Sequence, residues 1–341
     1  MRVAVYRSNR DVRVEERPVP RIGPGELLVR VWASGICGSD VMEWYRARRA
    51  PCVLGHEIGA EVVEVGRGVT DFVVGDRVFV SHHVPCGRCH YCLRDRETVC
   101  DQLRSTNYDP GGFAEYVRVP AVNLAEGVFA LPDALTYEDA VFIEPLGCAY
   151  RGQRRAGVGD GDVVAVLGAG LTGLIHIRLA RALGAERVIA TDVLPTRREA
   201  ALRSGAAVAL DARGDVAKGI RKANEGRLAD VVIVATGAPA ALRQAFDCVD
   251  RGGTILFFAP TEPGYELPMP FNRVWGDEVT VFTSYGAAPR DIEDAMALLG
   301  SGKVKVADMV THRLPLERVQ EGFRLVAEPV DSLKVIIEPQ K

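Results

Sequence analysis

Through the first 120 or so residues, short apolar runs alternate with turn-forming clusters. Val12-Arg-Val-Glu-Glu, Leu27-Leu-Val-Arg-Val-Trp and Glu61-Val-Val-Glu-Val carry the period-two or β-branched pattern of strands. Pro18, Pro20, Gly23-Pro24-Gly25, Gly66, Gly68 and Gly75-Asp76 punctuate them. This pattern predicts a small all-β barrel or sandwich interrupted by loops. Near residue 150 the texture changes. Apolar runs at 163–167, 187–191, 207–210, 231–235, 254–258 and 279–283 now alternate with helical stretches, among them 171–183, 195–204 and 239–249. Strands separated by helices predict a parallel, doubly wound sheet whose ligand crevice lies at the carboxyl ends of its strands. After residue 285 the pattern predicts one helix and a few strands, ending at Lys334-Val-Ile-Ile. The expected organisation is therefore α/β plus β. Residues 150–285 form the doubly wound domain, and 1–149 together with 286–341 form the β-rich domain.

Composition adds bounds rather than detail. The 341 residues suit about two domains. A net charge of −3 gives no reason to expect a nucleic acid or an anionic membrane as partner. No apolar run approaches the roughly 20 residues of a membrane helix. The start, Met1-Arg-Val-Ala-Val-Tyr-Arg, lacks the apolar core of a signal peptide, so a cytoplasmic location is expected. Four of the eight cysteines fall within fifteen residues, a metal-binding pattern rather than a disulfide framework.

The run from Val163 to Leu167 leads straight into Gly168-Ala-Gly170-Leu171-Thr172-Gly173 and then a helical stretch. In such a turn the first glycine permits the tight bend, the second lets the backbone approach a pyrophosphate, and the third allows close helix–strand packing. The free N–H groups of Leu171 and Thr172 would face the phosphates. Asp192 ends the next strand, 24 residues beyond Gly168, where an acid accepts bonds from ribose hydroxyls and repels a 2′-phosphate. NAD is therefore expected over NADP, although Arg197 and Arg198 could hold a 2′-phosphate. Arg197 and Thr236 join the expected cofactor-binding set. The plainer alternative is a tight strand–helix turn beside an ordinary capping Asp.

Cys86-Gly-Arg-Cys89-His-Tyr-Cys92, followed by Cys100, supplies four thiolates for one tetrahedral zinc. A closed set of this kind leaves no position for water, so the ion would be structural. An iron–sulfur cluster is the competing occupant, but nothing else suggests electron transfer. His90, inside the loop, is expected at the surface. Three further segments hold metal-ligating side chains: Gly35-Ile-Cys37-Gly-Ser39-Asp40, Gly55-His56-Glu57 and Phe142-Ile-Glu144-Pro145. Each is weak alone. Beside the cysteine lobe and the glycine loop they gain weight.

Taken together, these motifs resemble the zinc-containing medium-chain dehydrogenases, and within them the polyol (sorbitol-type) members, over nearly the whole chain. The resemblance implies a GroES-like catalytic domain and a Rossmann domain. It implies a catalytic zinc held by Cys37 and His56, with Glu57 and Glu144 competing for the remaining protein position; ethanol-type members have a cysteine where Glu144 stands. It also implies that Asp40 orients His56, as metal-bound histidines usually require, and that Ser39 takes the proton of the substrate hydroxyl. Hydride then passes to the nicotinamide, zinc supplying the acidity that makes the alcohol reactive. Many relatives carry a histidine relay five residues after the zinc cysteine. Here that position is Met42, so Ser39 must pass its proton elsewhere. Trp44 is expected to pack in the core, with Tyr45 a candidate pocket residue. Cys52, Cys148 and Cys248 read as small buried hydrophobes.

The expected activity is oxidation of a secondary hydroxyl of a polyol, sugar or cyclitol with NAD. An L-threonine 3-dehydrogenase would share every zinc motif, and a general secondary-alcohol dehydrogenase is a further alternative. A catalytically idle nucleotide-binding protein on this fold, or a zinc-free quinone reductase, is disfavoured because the ligands are retained. Relatives pair through the nucleotide domain, which implies a homo-oligomer, a tetramer or dimer.

Overall fold

The computed structural model describes residues 1–341, and the chain forms two units: Met1–Pro145 with Ala287–Lys341, and Leu146–Gly286. In the first unit, the strands Arg2–Ser8, Asp11–Glu16 and Cys52–Val53 make a three-stranded sheet. A seven-stranded sheet is built around Leu27–Gly35, which pairs antiparallel with Glu57–Val65, Tyr116–Val119 and Lys334–Glu338. The last of these pairings brings the C-terminal strand beside the N-terminal sheet, with Ile336 opposite Gly35. Val3, Val29, Ile58, Val78, Val117, Phe323 and Ile337 share one buried apolar cluster between these layers. Alternate residues of the large sheet's strands supply it, because successive side chains point to opposite faces, whereas Arg2–Ser8 contributes Val3, Ala4, Val5 and Tyr6 in a row. The C-terminal region holds two helices, Pro289–Gly300 and Val319–Ala327, where the sequence pattern suggested one.

The second unit is a six-stranded parallel sheet in which Val163–Leu167 and Ala229–Val234 are central neighbours. Outward on one side lie Arg187–Asp192 and Val208–Asp211. On the other lie Val249–Phe257 and the edge strand Thr280–Thr283. All five residues of Val163–Leu167 are buried, as a strand covered on both faces requires. The strand order reverses between Val163–Leu167 and Ala229–Val234, the switch point at which such sheets bind ligands. Two helices beyond those expected appear, Val216–Ala223 and Phe271–Gly276.

Candidate metal centres and nucleotide site

The first centre is assembled at one end of the central strands of the large sheet. Cys37 follows the strand Leu27–Gly35 and caps a short helical turn; Glu57 opens the strand Glu57–Val65, with His56 just before it. One donor atom each from Cys37, His56 and Glu57 lie within 4.8 Å of one another. Glu144, in the first turn of the helix Ile143–Ala156, is not in that set. Its charge bears on the buried Tyr108, as do those of Asp40 and Glu57.

Around the three donors the structure is polar and almost fully enclosed. Asp40 is completely buried; its Oδ2 accepts from the Cys37 N–H at 3.1 Å, and its Oδ1 lies 3.3 Å from His56 Nδ1. That contact leaves Nε2 as the free ring nitrogen of His56. Arg46 is also buried. Its Nε donates to the Ser39 carbonyl at 2.9 Å, and its Nη2 donates to Ser39 Oγ at 2.8 Å and to Asp40 Oδ1 at 3.2 Å. Burial works against the charged form of Asp40, yet His56 and Arg46 hold its carboxyl below the usual range. Burial likewise opposes protonation of His56, but Asp40 and Cys37 outweigh it and raise the imidazole well above its ordinary value. Without a metal the pocket thus draws a proton to its negative charge. A thiolate, an imidazole and a carboxylate are a donor set of a catalytic zinc, so the residues fit the ion.

Lys334 is a neighbour of this centre that no motif announces. It is fully buried, and its Nζ pairs with Glu57 Oε2, while Gly35 leaves the space the two side chains share. Arg46 and the histidines His82 and His83 were also unforeseen; they come from a short helix, Glu43–Arg46, and from the segment after the strand Arg77–Val80, whose approach only the fold supplies. The His82 ring lies 4.9 Å from that of His56 and 3.7 Å from that of His83. Trp44, expected in the core, is 36% exposed instead. The short helix Glu43–Arg46 turns Arg46 inward, and Trp44 and Tyr45 outward. Met42 is half-buried.

The second centre is the cysteine lobe. Donor atoms of Cys86, Cys89, Cys92 and Cys100 lie within 4.8 Å of one another, and no disulfide is formed. Cys89 and Cys92 Sγ are 3.5 Å apart, and Cys86 and Cys92 Sγ 4.0 Å. A tetrahedron with bonds of about 2.3 Å to zinc has edges of about 3.8 Å, so the spacing suits that ion. Burial and the neighbouring thiols push Cys92 up to about 12. Burial acts the same way on Cys100, but backbone N–H groups of Leu103 and Cys86 bring it down to about 6. Four sulfurs this close share charge poorly without a cation. His90 lies exposed beside Arg94 and outside the sulfur set.

In the second unit, Gly168 has φ +96° and donates its N–H to the Thr191 carbonyl at 2.9 Å. Gly170 precedes the helix Leu171–Ala182, so the first-turn N–H groups of Leu171 and Thr172 are left for an anion. Asp192 is buried; its Oδ2 accepts from the Ala169 N–H and its Oδ1 from the Leu194 N–H, both at 2.9 Å. It thereby ties the glycine loop to the end of the neighbouring strand. Arg197 Nη1 is 3.8 Å from the Asp192 carboxylate, and Arg198 Nη1 donates to the Asp192 carbonyl at 3.0 Å and lies 3.3 Å from the Asp211 carboxylate. The side chain of Thr236 packs where a Cβ on Gly168 would stand, at 3.1 Å.

These features define a zinc- and dinucleotide-dependent oxidoreductase. Residues 23–133 match the alcohol dehydrogenase GroES-like domain, and residues 172–301 match the zinc-binding dehydrogenase domain. The chain is 34% identical to the sorbitol dehydrogenase of Bacillus subtilis (strain 168), covering 100% of this chain and 98% of that one. It is 36% identical to the L-threonine 3-dehydrogenase of Pyrococcus abyssi, covering 91% and 90%. Among solved structures, a chain described as a zinc-binding dehydrogenase from Sinorhizobium meliloti 1021, bound to NADP, superposes with a TM-score of 0.89 at 30% identity over 99% of both chains. The protein belongs to the zinc-containing alcohol dehydrogenase family, and it is an oxidoreductase acting on secondary alcohols.

Proposed function

We propose that this enzyme oxidises a secondary hydroxyl of a polyol, sugar or cyclitol with NAD, using Cys37, His56 and Glu57 as its catalytic metal ligands. The observation that carries the reading is the enclosed thiolate–imidazole–carboxylate set of Cys37, His56 and Glu57. Glu57 is preferred over Glu144 as the carboxylate ligand because its oxygen lies in the set. Bound there, zinc supplies the Lewis acidity that lowers the pKa of a substrate hydroxyl. Asp40 holds His56 in one orientation. Arg46 fixes Ser39 Oγ through a charge-assisted bond, so that the hydroxyl can take the substrate's proton as it releases its own to water or a ribose hydroxyl. The positive guanidinium also favours charge developing beside Ser39. Asp192 argues for NAD, because its buried carboxylate would repel a 2′-phosphate. The threonine dehydrogenase reading shares this geometry and is separated only by substrate.

The test is zinc per chain on protein purified without added metal, with NADH and NADPH formation followed over polyols, amino acids and simple alcohols. The expected result is two zinc ions and NAD-linked turnover of a polyol class. Preference for L-threonine would select the alternative, and one zinc with no turnover after zinc is restored would sink the mechanism.

The same proposal includes a homo-oligomer within a reducing, intracellular compartment, which suits eight cysteines with no disulfide among them. The support for assembly is the edge strand Thr280–Thr283, which pairs on one side only, beside exposed Phe271, Trp275 and Tyr285. An open edge flanked by large apolar groups invites pairing with a second copy. Trp275→Glu combined with Val281→Lys is expected to shift the sedimentation coefficient to that of a monomer. A wild-type monomer at micromolar concentration would refute assembly.

A further inference from the structure

The strands Arg187–Asp192 and Val208–Asp211 run parallel and in register, and each ends on an aspartate, Asp192 opposite Asp211. Neighbouring strands lie about 4.8 Å apart, so the two acids stand within one screening length of each other. Only Asp192 has a role in the nucleotide site. Its neighbour faces two arginines. Arg198, on the helix Pro195–Arg203, places Nη1 3.3 Å from Asp211 Oδ2. Arg213, just past the strand, places Nη1 3.7 Å from the same oxygen. The Arg213 N–H donates to Asp211 Oδ1 at 3.0 Å and, with the charges of both arginines, holds the Asp211 carboxyl below its usual range.

Stability does not explain the cluster. The Asp211 side chain is 42% exposed and that of Arg213 66%, and ion pairs open to water contribute little to folding. The placement of the arginines is more informative. Arg198 Nη1 donates to the carbonyls of Asp192, at 3.0 Å, and Val193, at 3.1 Å. Arg213 Nη1 donates to the Val193 carbonyl at 3.2 Å. Both guanidiniums are thus anchored to the backbone at the residue whose carboxylate is expected at the ribose. One nitrogen of each makes these contacts, which leaves the rest of both forks to donate. A planar guanidinium with N–H groups to spare is a natural partner for a phosphate. Asp211 cancels that capacity.

We infer, on the basis of the dinucleotide site proposed above, that Asp211 is a specificity-determining residue: it occupies Arg198 and Arg213 and adds a second negative charge beside Asp192, and so sets the preference for NAD over NADP. The donors for a 2′-phosphate are already in place, and Asp192 need not change for them to act. A 2′-phosphate must displace Asp211 from both guanidiniums and lie beside two carboxylates. A plain ribose is uncharged and meets neither cost.

The test titrates NADH and NADPH, by their fluorescence, against the zinc-loaded full-length protein with no alcohol present. The wild type is expected to bind NADH the more tightly. Asp211→Asn keeps an oxygen for the Arg213 N–H and removes only the charge. It is expected to tighten NADPH about tenfold and to leave NADH within about twofold. The gain should shrink as salt is raised. Adding Arg198→Gln and Arg213→Gln should abolish it, a reversal that a merely structural role for Asp211 would not produce. An unchanged ratio of the two affinities in Asp211→Asn would overturn the inference and leave the NAD reading intact. So would an equal gain for both dinucleotides, or a gain that survives the loss of both arginines. A wild type that binds NADPH the more tightly would remove the NAD reading and this inference together.

Discussion

Lys334→Met is expected to destabilise the first unit by about 3–5 kcal/mol, the cost of stranding one member of a buried ion pair. Glu57 is 1% exposed and Lys334 0%, and they meet from positions 277 residues apart in the chain. Methionine keeps much of the length and apolar volume of lysine, so the loss would report charge rather than a cavity. The remaining Glu57 carboxylate would then face only the metal and a low-dielectric wall. Catalytic zinc should be held more tightly, because the Glu57 carboxylate no longer shares its charge with an ammonium and a like charge beside the metal is gone, and the structural zinc should be unaffected. Chemical unfolding followed by a probe in the first unit measures the first effect, and competition with a chelator the second. A global midpoint would mix two units that need not unfold together. The double variant Lys334→Met with Glu57→Gln should recover stability relative to the single one, because it removes both charges. A stability change under 1 kcal/mol in Lys334→Met would show that water or another group compensates Glu57. Gly35 belongs to the same arrangement. A Cβ there would stand 2.3 Å from Glu57 Oε2, 2.4 Å from Val141 Cγ1 and 2.7 Å from Lys334 Cε, so even alanine would pry the pair apart.

That pair illustrates what the sequence could and could not reveal. The doubly wound sheet was legible because it is written locally: buried strands are short apolar runs, and their glycine and proline punctuation marks where each ends. Val163–Leu167 was predicted with the bounds it has, since Gly168 stops it sharply. The helix Val216–Ala223 escaped because its apolar face consists chiefly of Val216 and Ile220 within a Lys- and Arg-bearing stretch. The four-cysteine lobe was legible for the same local reason, its ligands lying within fifteen residues. The first centre was less so. Cys37, His56 and Glu57 sit in recognisable segments, but what surrounds them is tertiary. Lys334 arrives on the last strand, Arg46 is turned inward by one short helix, and His82 is carried in by the end of Arg77–Val80. None of the three has a sequence signature, because a buried arginine, lysine or histidine looks the same in the sequence as an exposed one. Trp44 failed in the opposite direction: aromatic character suggested burial, whereas the helix phase that buries Arg46 leaves its neighbours outside.

Gly173→Ala is expected to weaken NADH binding by more than 100-fold while both zinc sites and the first unit's stability stay as they are. The added Cβ would lie 1.9 Å from the Gly168 carbonyl oxygen and 2.9 Å from its carbon. Both are backbone atoms, so no rotamer change relieves the clash, and the helix Leu171–Ala182 must move away from the strand. Gly168 cannot yield without cost, since its N–H holds Thr191 and the next N–H holds Asp192. The displacement would thus spoil the helix N–H groups expected at the pyrophosphate and the carboxylate expected at the ribose in one step. Gly170→Ala is the informative control. Its Cβ would have only Arg197 Nη1 nearby, at 4.0 Å, so the protein itself has room for it. Second-unit stability should fall in Gly173→Ala and hold in Gly170→Ala, yet NADH affinity should drop in both. In the second case the methyl group occupies space that the cofactor's phosphate needs. Fluorescence titration of NADH against each variant separates the two effects. If Gly170→Ala bound NADH as tightly as the wild type, the pyrophosphate could not approach the backbone at that residue, and the dinucleotide would have to lie elsewhere on the sheet.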